Sequence, residues 1–382
     1  MALAASVLSG TVGHTILLIG SFLLLLAGAE IFTNGIEWLG HRLGVSESAT
    51  GSILAAVGTA LPETMIPVIA ILQQQAGGGT AADEVGVGAI LGAPFMLATI
   101  AMFLVGSSVL YFQNRRVFGP EMHFNSKSTR RDIGFFLVGY SLAFLAALVP
   151  SRTVSIAIGV VLVLLYLTYL VLSLRSGELI EIEGLDELHL GLMIYNVLTR
   201  IPGPFPKREH GKDPNRLLVL LQTLIALGII IGGAHLFVTE VQWASNEVLG
   251  IPAAVVALLL APLATELPEK FNSVLWISRD KDTLALGNIT GAMAFQGTLP
   301  VTLGILFTSW NLSLEWGTTG FLNGFSALLA IVSGGILYLR ARQVGEGSMR
   351  PRPFLIGGAF YLLFILILVY HVYAYDLAVA TH

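Results

Sequence analysis

The hydrophobic residues of this chain form long, almost unbroken runs that are separated by short polar segments. A helix that crosses the hydrocarbon core of a bilayer, which is roughly 30 Å thick, needs about 20 predominantly apolar residues. Ten runs of this kind are predicted to be transmembrane helices: residues 14–40, 47–74, 85–112, 133–149, 152–174, 216–245, 251–277, 283–309, 318–340 and 353–375. The pattern therefore predicts an all-α polytopic membrane protein. No basic residue precedes the first run, so we expect it to stay in the protein and not to be removed as a signal peptide.

The basic residues alternate along the chain in the way that ten helices require. Lys and Arg concentrate in the cytoplasmic loops of membrane proteins, and 18 of the 20 basic residues lie in the odd-numbered loops. The exceptions are Arg152, between the fourth and fifth helices, and Lys270, inside the seventh. We therefore expect odd-numbered loops in the cytoplasm and both termini outside. The compact chain and the lack of targeting signals indicate the plasma membrane of a bacterium or archaeon.

Composition narrows the function classes further. Hydrophobic residues make up 55% of the chain and charged residues only 12%, whereas soluble proteins carry about 25% charged residues. This excludes a water-soluble enzyme and a nucleic-acid-binding protein. The absence of cysteine excludes disulfides and thiolate metal sites, and no motif of a membrane protease or serine hydrolase is present. We expect no enzyme activity and no cofactor, and the expected partners are bilayer lipids and transported inorganic cations.

The sequence contains an internal repeat. Gly28-Ala29 matches Gly233-Ala234, and Pro62-Glu63 matches Pro268-Glu269. The copies start five helices apart, and an odd offset means that they cross the membrane in opposite senses. Inverted repeats are common in secondary transporters, which bind substrate near the bilayer midplane where the repeats meet. We therefore divide the chain into a first five-helix repeat, a cytoplasmic linker and a second five-helix repeat, which cover residues 1–174, 175–215 and 216–382.

The linker opens with an acidic run and ends with a basic, proline-rich segment. One interpretation is a solvated connection that contains a short interfacial helix over residues 185–199. The alternative is a regulatory cation site on the acidic run.

Two carboxylates are predicted to lie inside the membrane. Glu63 and Glu269 each follow a proline deep within an apolar run, and an ionisable group at that depth indicates a functional site. Proline lacks a backbone N–H and bends or breaks its helix. We expect this to free carbonyl oxygens near Gly58-Thr59 and Ala264-Thr265.

Such groups form an oxygen-only ligand set in each repeat. Two sets that face each other suit a hard cation such as Ca²⁺, which takes about six to eight oxygen ligands. The lack of cysteine and of paired intramembrane histidines argues against zinc or copper. The alternative is that each glutamate merely bonds a neighbouring backbone group, but the equivalent positions of the two glutamates favour a cation site.

A second pattern, small-xxx-small, also occurs in both repeats. Gly88 and Gly92 correspond to Gly287 and Gly291, and such pairs let helices approach closely. We expect close packing beside the glutamate helices, which would bring three polar residues toward the site: Asn288, Thr290 and Gln296.

These segments resemble the alpha-repeats of the calcium/cation antiporter superfamily, which includes the sodium/calcium exchangers. In that family one helix carries G-T-S-x-P-E and the next carries G-N-x-x-G-S-N, in both halves. The first element corresponds here to residues 58–63 and 264–269, and the second to residues 88–94 and 287–293. The resemblance implies exchange of Ca²⁺ for Na⁺ or, in some branches, for H⁺. It also implies that the glutamates, the threonines and their neighbouring carbonyls are the ligands.

The sequence departs from the family pattern at several positions. Family serines that help to hold Na⁺ are replaced, as is the polar residue that closes the second element; the substituted positions are Ala60, Glu266, Ala93, Ala292, Leu97 and Gln296. The departures put the sodium sites in question, whereas the glutamate pair is retained. Glu266 adds a third carboxylate, and Lys270 follows it at i+4. The two residues form either an ordinary helical ion pair or a site in which the ammonium takes the place of a coupling cation.

His235 lies inside the sixth predicted helix. Because histidine titrates near physiological pH, it either serves a proton-coupled exchanger or is simply hydrogen-bonded between helices. The leading functional hypothesis is an antiporter that exchanges Ca²⁺, or a similar divalent cation, for Na⁺ or H⁺ by alternating access. The alternatives are a proton-coupled exchanger of another cation and a cation channel on the same scaffold.

Overall fold

The apolar runs fold into helices, because a helix satisfies every backbone hydrogen bond within its own segment. The computed structural model describes residues 10–42, 55–149, 151–175, 188–190, 214–310, 312–344 and 348–374. The helices are α1 (Thr11–Arg42), α2 (Ala55–Gln73), α3 (Gly79–Met96), α4 (Met102–Phe112), α5 (Ser126–Leu148), α6 (Arg152–Arg175), α7 (Arg216–Trp243), α8 (Ala253–Thr265), α9 (Leu267–Ser278), α10 (Asp282–Gln296), α11 (Leu299–Phe307), α12 (Thr319–Val344) and α13 (Arg352–Ala374). Strands β1 (Met122–His123) and β2 (Ser348–Met349) form a short antiparallel pair. Turns of π-helix extend α2, join α3 to α4 and extend α7: Gln74–Gly78, Leu97–Ala101 and Ala244–Leu249.

Within the described residues, eight helices are long and apolar enough to cross a membrane, and Ala253–Thr265 is a shorter apolar helix. One of the eight, Glu63–Phe112, is 50 residues long and contains the end of the second predicted helix and the whole of the third, which separate at Gly77 with φ of 99°. The seventh predicted helix is α8 followed by α9. The all-α polytopic fold, with about ten transmembrane helices, is therefore confirmed.

The repeat-related helices α1 and α7 pack along each other. A Cβ atom on Gly28 would lie 2.8 Å from Ile230 Cγ1, and one on Gly233 would lie 3.2 Å from Leu24 Cβ. The glycines that match between the repeats are thus the residues that let these two helices come close.

The two Gly-xxx-Gly patterns behave differently. A Cβ atom on Gly88 would collide with the carbonyl oxygen of Ala254, and one on Gly92 with that of Leu258, so α3 lies directly against the backbone of α8. In contrast, a Cβ on Gly287 would meet no described residue within 4 Å. Among the described residues, the expected close packing therefore does not occur at Gly287.

Arg152 is the first residue of α6, and its side chain contacts the second half of the chain. Its guanidinium donates to the carbonyl oxygens of Ile305 and Leu306, at 3.1 Å and 2.5 Å. These are among the last carbonyls of α11, where a helix favours a positive charge. These partners within the protein account for the basic residue that lies in an even-numbered loop.

Two predicted loops of different halves also meet. Arg116, after α4, binds Asp282 Oδ2 at 2.6 Å, and both side chains are fully buried. Asp280, between α9 and α10, accepts hydrogen bonds from the backbone N–H groups of Val117 and Phe118. This contact joins the third and seventh loops.

Most of the predicted linker lies outside the described residues, including its acidic run. Residues 188–190 are described, and they lie against the first helices of both halves. The His189 N–H donates to Asn34 Oδ1 of α1, and the Leu190 N–H donates to Gln222 Oε1 of α7.

Candidate cation site

The seventh predicted helix is broken where the second Pro-Glu pair occurs. Helix α8 ends at Thr265 and α9 begins at Leu267, with Glu266 between them at φ −97° and ψ 8°. Pro268 has no N–H, so the Ala264 carbonyl lacks its usual helical donor. Glu269 lies in the first turn of α9, where the helix dipole favours a negative charge. The break therefore places a freed carbonyl and a carboxylate close together in the chain.

The corresponding helix of the first repeat is not broken. Helix α2 continues from Ala55 to Gln73 past Pro62, so of the bend or break predicted at each proline, a break occurs in the second repeat only. Proline removes one hydrogen bond, and a membrane helix tolerates this when its surroundings compensate. Gly58 and Thr59 lie in α2, but the Thr59 side chain lies outside the described part of the chain. Glu63 is buried, with 8% of its surface exposed.

Gln296 connects the two repeats at the first glutamate. It is the last residue of α10 and is buried, and its Nε2 group donates a hydrogen bond to Glu63 Oε2. The structure therefore brings a predicted ligand of the first repeat together with a predicted ligand of the second.

Glu269 has a different environment. Its side chain is buried, and Oε2 has no hydrogen-bond partner among the described residues. The residue of the first repeat that corresponds to Gln296 is Leu97, which has no group to donate. Asn288 approaches Glu269 through the main chain instead, because its Nδ2 donates to the Glu269 carbonyl oxygen at 3.1 Å.

Glu266 and Lys270 form an ion pair inside the protein. Lys270 Nζ lies 2.9 Å from Glu266 Oε2 and 3.3 Å from the Pro262 carbonyl oxygen. The Lys270 side chain is 5% exposed and the Glu266 side chain is 0% exposed. Glu266 Oε1 has no hydrogen-bond partner in the described part of the structure.

The four ionisable groups form one electrostatic cluster, because Glu63 interacts with Glu269, Glu266 and Lys270. Among the described side chains, no three of His, Asp or Glu form a ready-made metal cage. Carbonyl oxygens would have to complete any coordination sphere, as is common for hard cations. Ala264 and Thr265 are buried at the break, and the Thr265 hydroxyl bonds the Ala261 carbonyl of its own helix.

One buried carboxylate that contacts a residue expected near the site was not predicted. Asp132 of α5 is 3% exposed and accepts a hydrogen bond from Thr290 Oγ1 at 2.8 Å. Thr290 therefore binds Asp132 and does not join the glutamates by a hydrogen bond. The missed signal was Asn125, whose side chain caps α5 and starts this helix at Ser126, before the apolar run begins at residue 133.

His235 lies outside the cluster. Its Nδ1 atom is 2.9 Å from Gln73 Nε2, so the histidine of α7 contacts the last residue of α2. This geometry favours the interpretation of a histidine hydrogen-bonded between helices.

Comparison with known proteins gives a family match over most of the chain. The profile described as "Sodium/calcium exchanger protein" matches residues 13–175 and 218–373. Among curated proteins, an uncharacterized membrane protein of Methanocaldococcus jannaschii is 24% identical over 281 residues, which cover 72% of this chain and 78% of that protein. The inner membrane protein YrbG of Escherichia coli is 22% identical over 339 residues, which cover 87% and 91%.

Solved structures show the same fold. The crystal structure of the H⁺/Ca²⁺ exchanger CAX is similar with a TM-score of 0.66 at 19% identity, over 93% of this chain and 82% of that chain. The sodium-calcium exchanger NCX_Mj is similar with a TM-score of 0.52 at 20% identity, over 92% and 98%.

Proposed function

Because the chain belongs to the sodium/calcium exchanger protein family, we propose that it is a secondary active cation antiporter. It exchanges Ca²⁺, or a similar divalent cation, for Na⁺ or H⁺ by alternating access. The observation that carries this proposal is the pair Glu63 and Glu269. They occupy equivalent positions in the two repeats, and both are buried within one electrostatic cluster.

The chemistry of the pair explains why the exchange is coupled. A charged side chain in the bilayer core is costly, so a site with bare carboxylates does not cross from one side to the other. One divalent cation or two monovalent ions neutralise Glu63 and Glu269. The site therefore changes its access only when it is occupied, and the two kinds of ion replace each other.

The ligands proposed are the two glutamates together with the groups beside them. They are Gly58, Thr59, Ala264, Thr265, Glu266, Asn288 and Gln296. The names of the structurally similar proteins, an H⁺/Ca²⁺ exchanger and a sodium-calcium exchanger, support Ca²⁺ as the divalent ion and both Na⁺ and H⁺ as candidate counter-ions. The alternating basic loops support an orientation with both termini outside, and the location proposed is the plasma membrane.

The test is uptake of radioactive Ca²⁺ into proteoliposomes that contain the purified protein, under an imposed Na⁺ gradient and, separately, a pH gradient. We expect one of these gradients to drive uptake in the wild type. We expect Glu63→Gln and Glu269→Gln to abolish it, because each removes a charge that the divalent ion needs. The matched control is Glu240→Gln, which changes a buried glutamate of α7 that pairs with His14 at 2.7 Å.

Undiminished exchange in either site variant would refute the assignment of these glutamates. Uptake that needs no counter-ion gradient and saturates poorly would indicate a channel instead of an antiporter.

A further inference from the structure

The Glu266–Lys270 pair is an unusual feature of the cluster. An i, i+4 pair on an exposed helix face contributes only a few tenths of a kcal/mol, and its residues stay in contact with water. Here both side chains are buried, beside two further carboxylates with which the lysine interacts electrostatically. The structure therefore contains a buried ion pair and not an ion pair on an exposed helix face.

The pair belongs to one repeat only. In the first repeat, the positions that correspond to Glu266 and Lys270 are Ala60 and Thr64. Both charged residues are thus present in the second repeat, and both are replaced by small neutral residues in the first. The carboxylate and the ammonium are therefore present together in the second repeat and absent together from the first.

The ammonium contacts the kinds of atom that a bound cation would contact. Lys270 Nζ approaches a carboxylate oxygen of Glu266 and the carbonyl oxygen of Pro262. Pro262 lies in the last turn of α8, where the helix dipole favours a positive charge. A carboxylate, a carbonyl and a helix C-terminus are also a suitable environment for a monovalent metal ion.

The formal charges of the cluster determine which bound ions make the site neutral. Three carboxylates and one ammonium leave two net negative charges. One divalent cation cancels that charge completely, without a second ion.

We infer that the Lys270 ammonium is a tethered, non-transported cation that compensates Glu266, so that one divalent cation alone neutralises the transport site. This inference rests on the proposed antiport function and specifies the charge of its site. Without the lysine, a third carboxylate remains, and the site is neutral only when a monovalent ion accompanies the divalent one.

The test is exchange of radioactive Ca²⁺ against unlabelled Ca²⁺ across proteoliposomes, at a fixed alkaline pH and with a large organic cation as the only other salt. The wild type needs no added Na⁺ or K⁺ for this self-exchange. Lys270→Met carries an uncompensated charge and is expected to be roughly 100-fold slower, which follows from the cost of one charge at the membrane centre. Added Na⁺ or K⁺ restores its exchange.

Two further variants separate charge from structure. Lys270→Arg keeps the positive charge and is expected to remain independent of added monovalent cations. The double variant Glu266→Gln with Lys270→Met removes both members of the pair and keeps two net negative charges. Because Glu266 is also a proposed ligand, the readout is the ratio of the exchange rates with and without added Na⁺ or K⁺, which is expected to be close to one. Removing both partners of a buried pair also costs less stability than removing one.

The outcomes distinguish this inference from the proposed function. Absence of Ca²⁺ self-exchange in the wild type contradicts antiport itself. If the wild type exchanges but Lys270→Met is equally fast without a monovalent cation, the lysine does not compensate the site. If the double variant is monodisperse and thermally stable but still needs added Na⁺ or K⁺ for exchange, the inference is also wrong. Should Lys270→Met fail to fold, the double variant decides between these results.

Discussion

At the scale of single residues, the site is asymmetric although the chain is a repeat. Gln296 donates to Glu63, whereas its counterpart Leu97 offers nothing to Glu269, and Glu269 Oε2 has no partner among the described residues. An amide that holds a carboxylate fixes its orientation before a cation arrives. The two glutamates therefore differ in how far they are preorganised.

This asymmetry gives a prediction for Gln296→Leu. The substitution places in the second repeat the residue type that the first repeat has at the equivalent position, Leu97. Loss of a hydrogen bond that orients a metal ligand commonly lowers metal affinity by about 10–100-fold. We expect the apparent affinity for Ca²⁺ in the flux assay to fall by this amount, with little change in the maximal rate. Gln242→Leu is the control, since Gln242 bonds Gln73; an equal loss in both variants would contradict the assigned role.

The sequence predicted the glutamates and expected Asn288 and Gln296 near them, but it did not predict which glutamate each of the two amides contacts. The Pro-Glu pairs stand out because a buried carboxylate in an apolar run has few explanations. The repeat could not indicate that Gln296 would bind the glutamate of the opposite half. Matching positions in the two repeats show which residues are equivalent, but they do not show which residues of different repeats are in contact. Nor could it separate Gln296 from Thr290, which binds Asp132.

At the scale of helices, the contact of α3 with α8 controls how closely the two halves approach. Gly88 and Gly92 leave no space for a side chain against the backbone of α8. Helix–helix association in lipid depends on such packing, because the hydrophobic effect does not drive it. These glycines therefore set the distance between the helix after the first glutamate and the helix before the second.

We expect Gly92→Ala to lower the thermal stability of the purified protein, because the new methyl group would collide with the Leu258 carbonyl, and a backbone atom cannot turn aside. Overpacking of this kind costs about 1–3 kcal/mol. Gly287→Ala is the matched control and should leave stability nearly unchanged, since its methyl group would meet none of the residues that the structure describes within 4 Å. Equal melting temperatures of the wild type and Gly92→Ala in detergent would contradict this packing.

Both repeats carry the same Gly-xxx-Gly pattern, and the sequence gives no means of distinguishing them. The pattern indicates that a second helix can pack closely against the glycines without a steric clash. Whether it does so depends on the position of the neighbouring helix in the fold. Helix α8 runs beside Gly88 and Gly92, whereas no helix in the described part of the chain lies as close to Gly287.

At the scale of the whole molecule, charged loop residues join the two halves away from the cation site. Arg116 binds Asp282 and approaches Asp280 at 3.3 Å. Burial acts to raise the pKa of Asp280, but the N–H groups of Val117 and Phe118 and the Arg116 guanidinium outweigh it and lower this pKa below its usual value. The ionised form of Asp280 is therefore favoured in the folded protein.

The lowered pKa predicts how Asp280→Asn depends on pH. An aspartate whose pKa is lowered on folding adds stability that is fully present above its ordinary pKa of about 3.9 and is lost as the pH falls through the lowered value. We expect Asp280→Asn to be less stable than the wild type at neutral pH by roughly 1 kcal/mol, and the difference to vanish in strong acid. Thermal unfolding across a pH series measures it, with the exposed Glu315→Gln as control. A difference that persists in strong acid would exclude this origin.

The overall architecture was the most predictable level. Apolar run length and the alternation of basic loops predicted the helices, because both follow from the thickness and charge asymmetry of the bilayer. The contact between Arg116 and Asp282 was not predictable, since it joins residues that are 166 positions apart and neither lies in a repeated motif.

Arg152 has a consequence for how the chain is made. It lies in the first half, but its acceptors are the carbonyls of Ile305 and Leu306, which leave the ribosome some 150 residues later. Until then the guanidinium must be solvated by water or lipid headgroups at the membrane surface. The hairpin of α5 and α6 therefore reaches its final environment only late in translation, when the C-terminal half has been inserted.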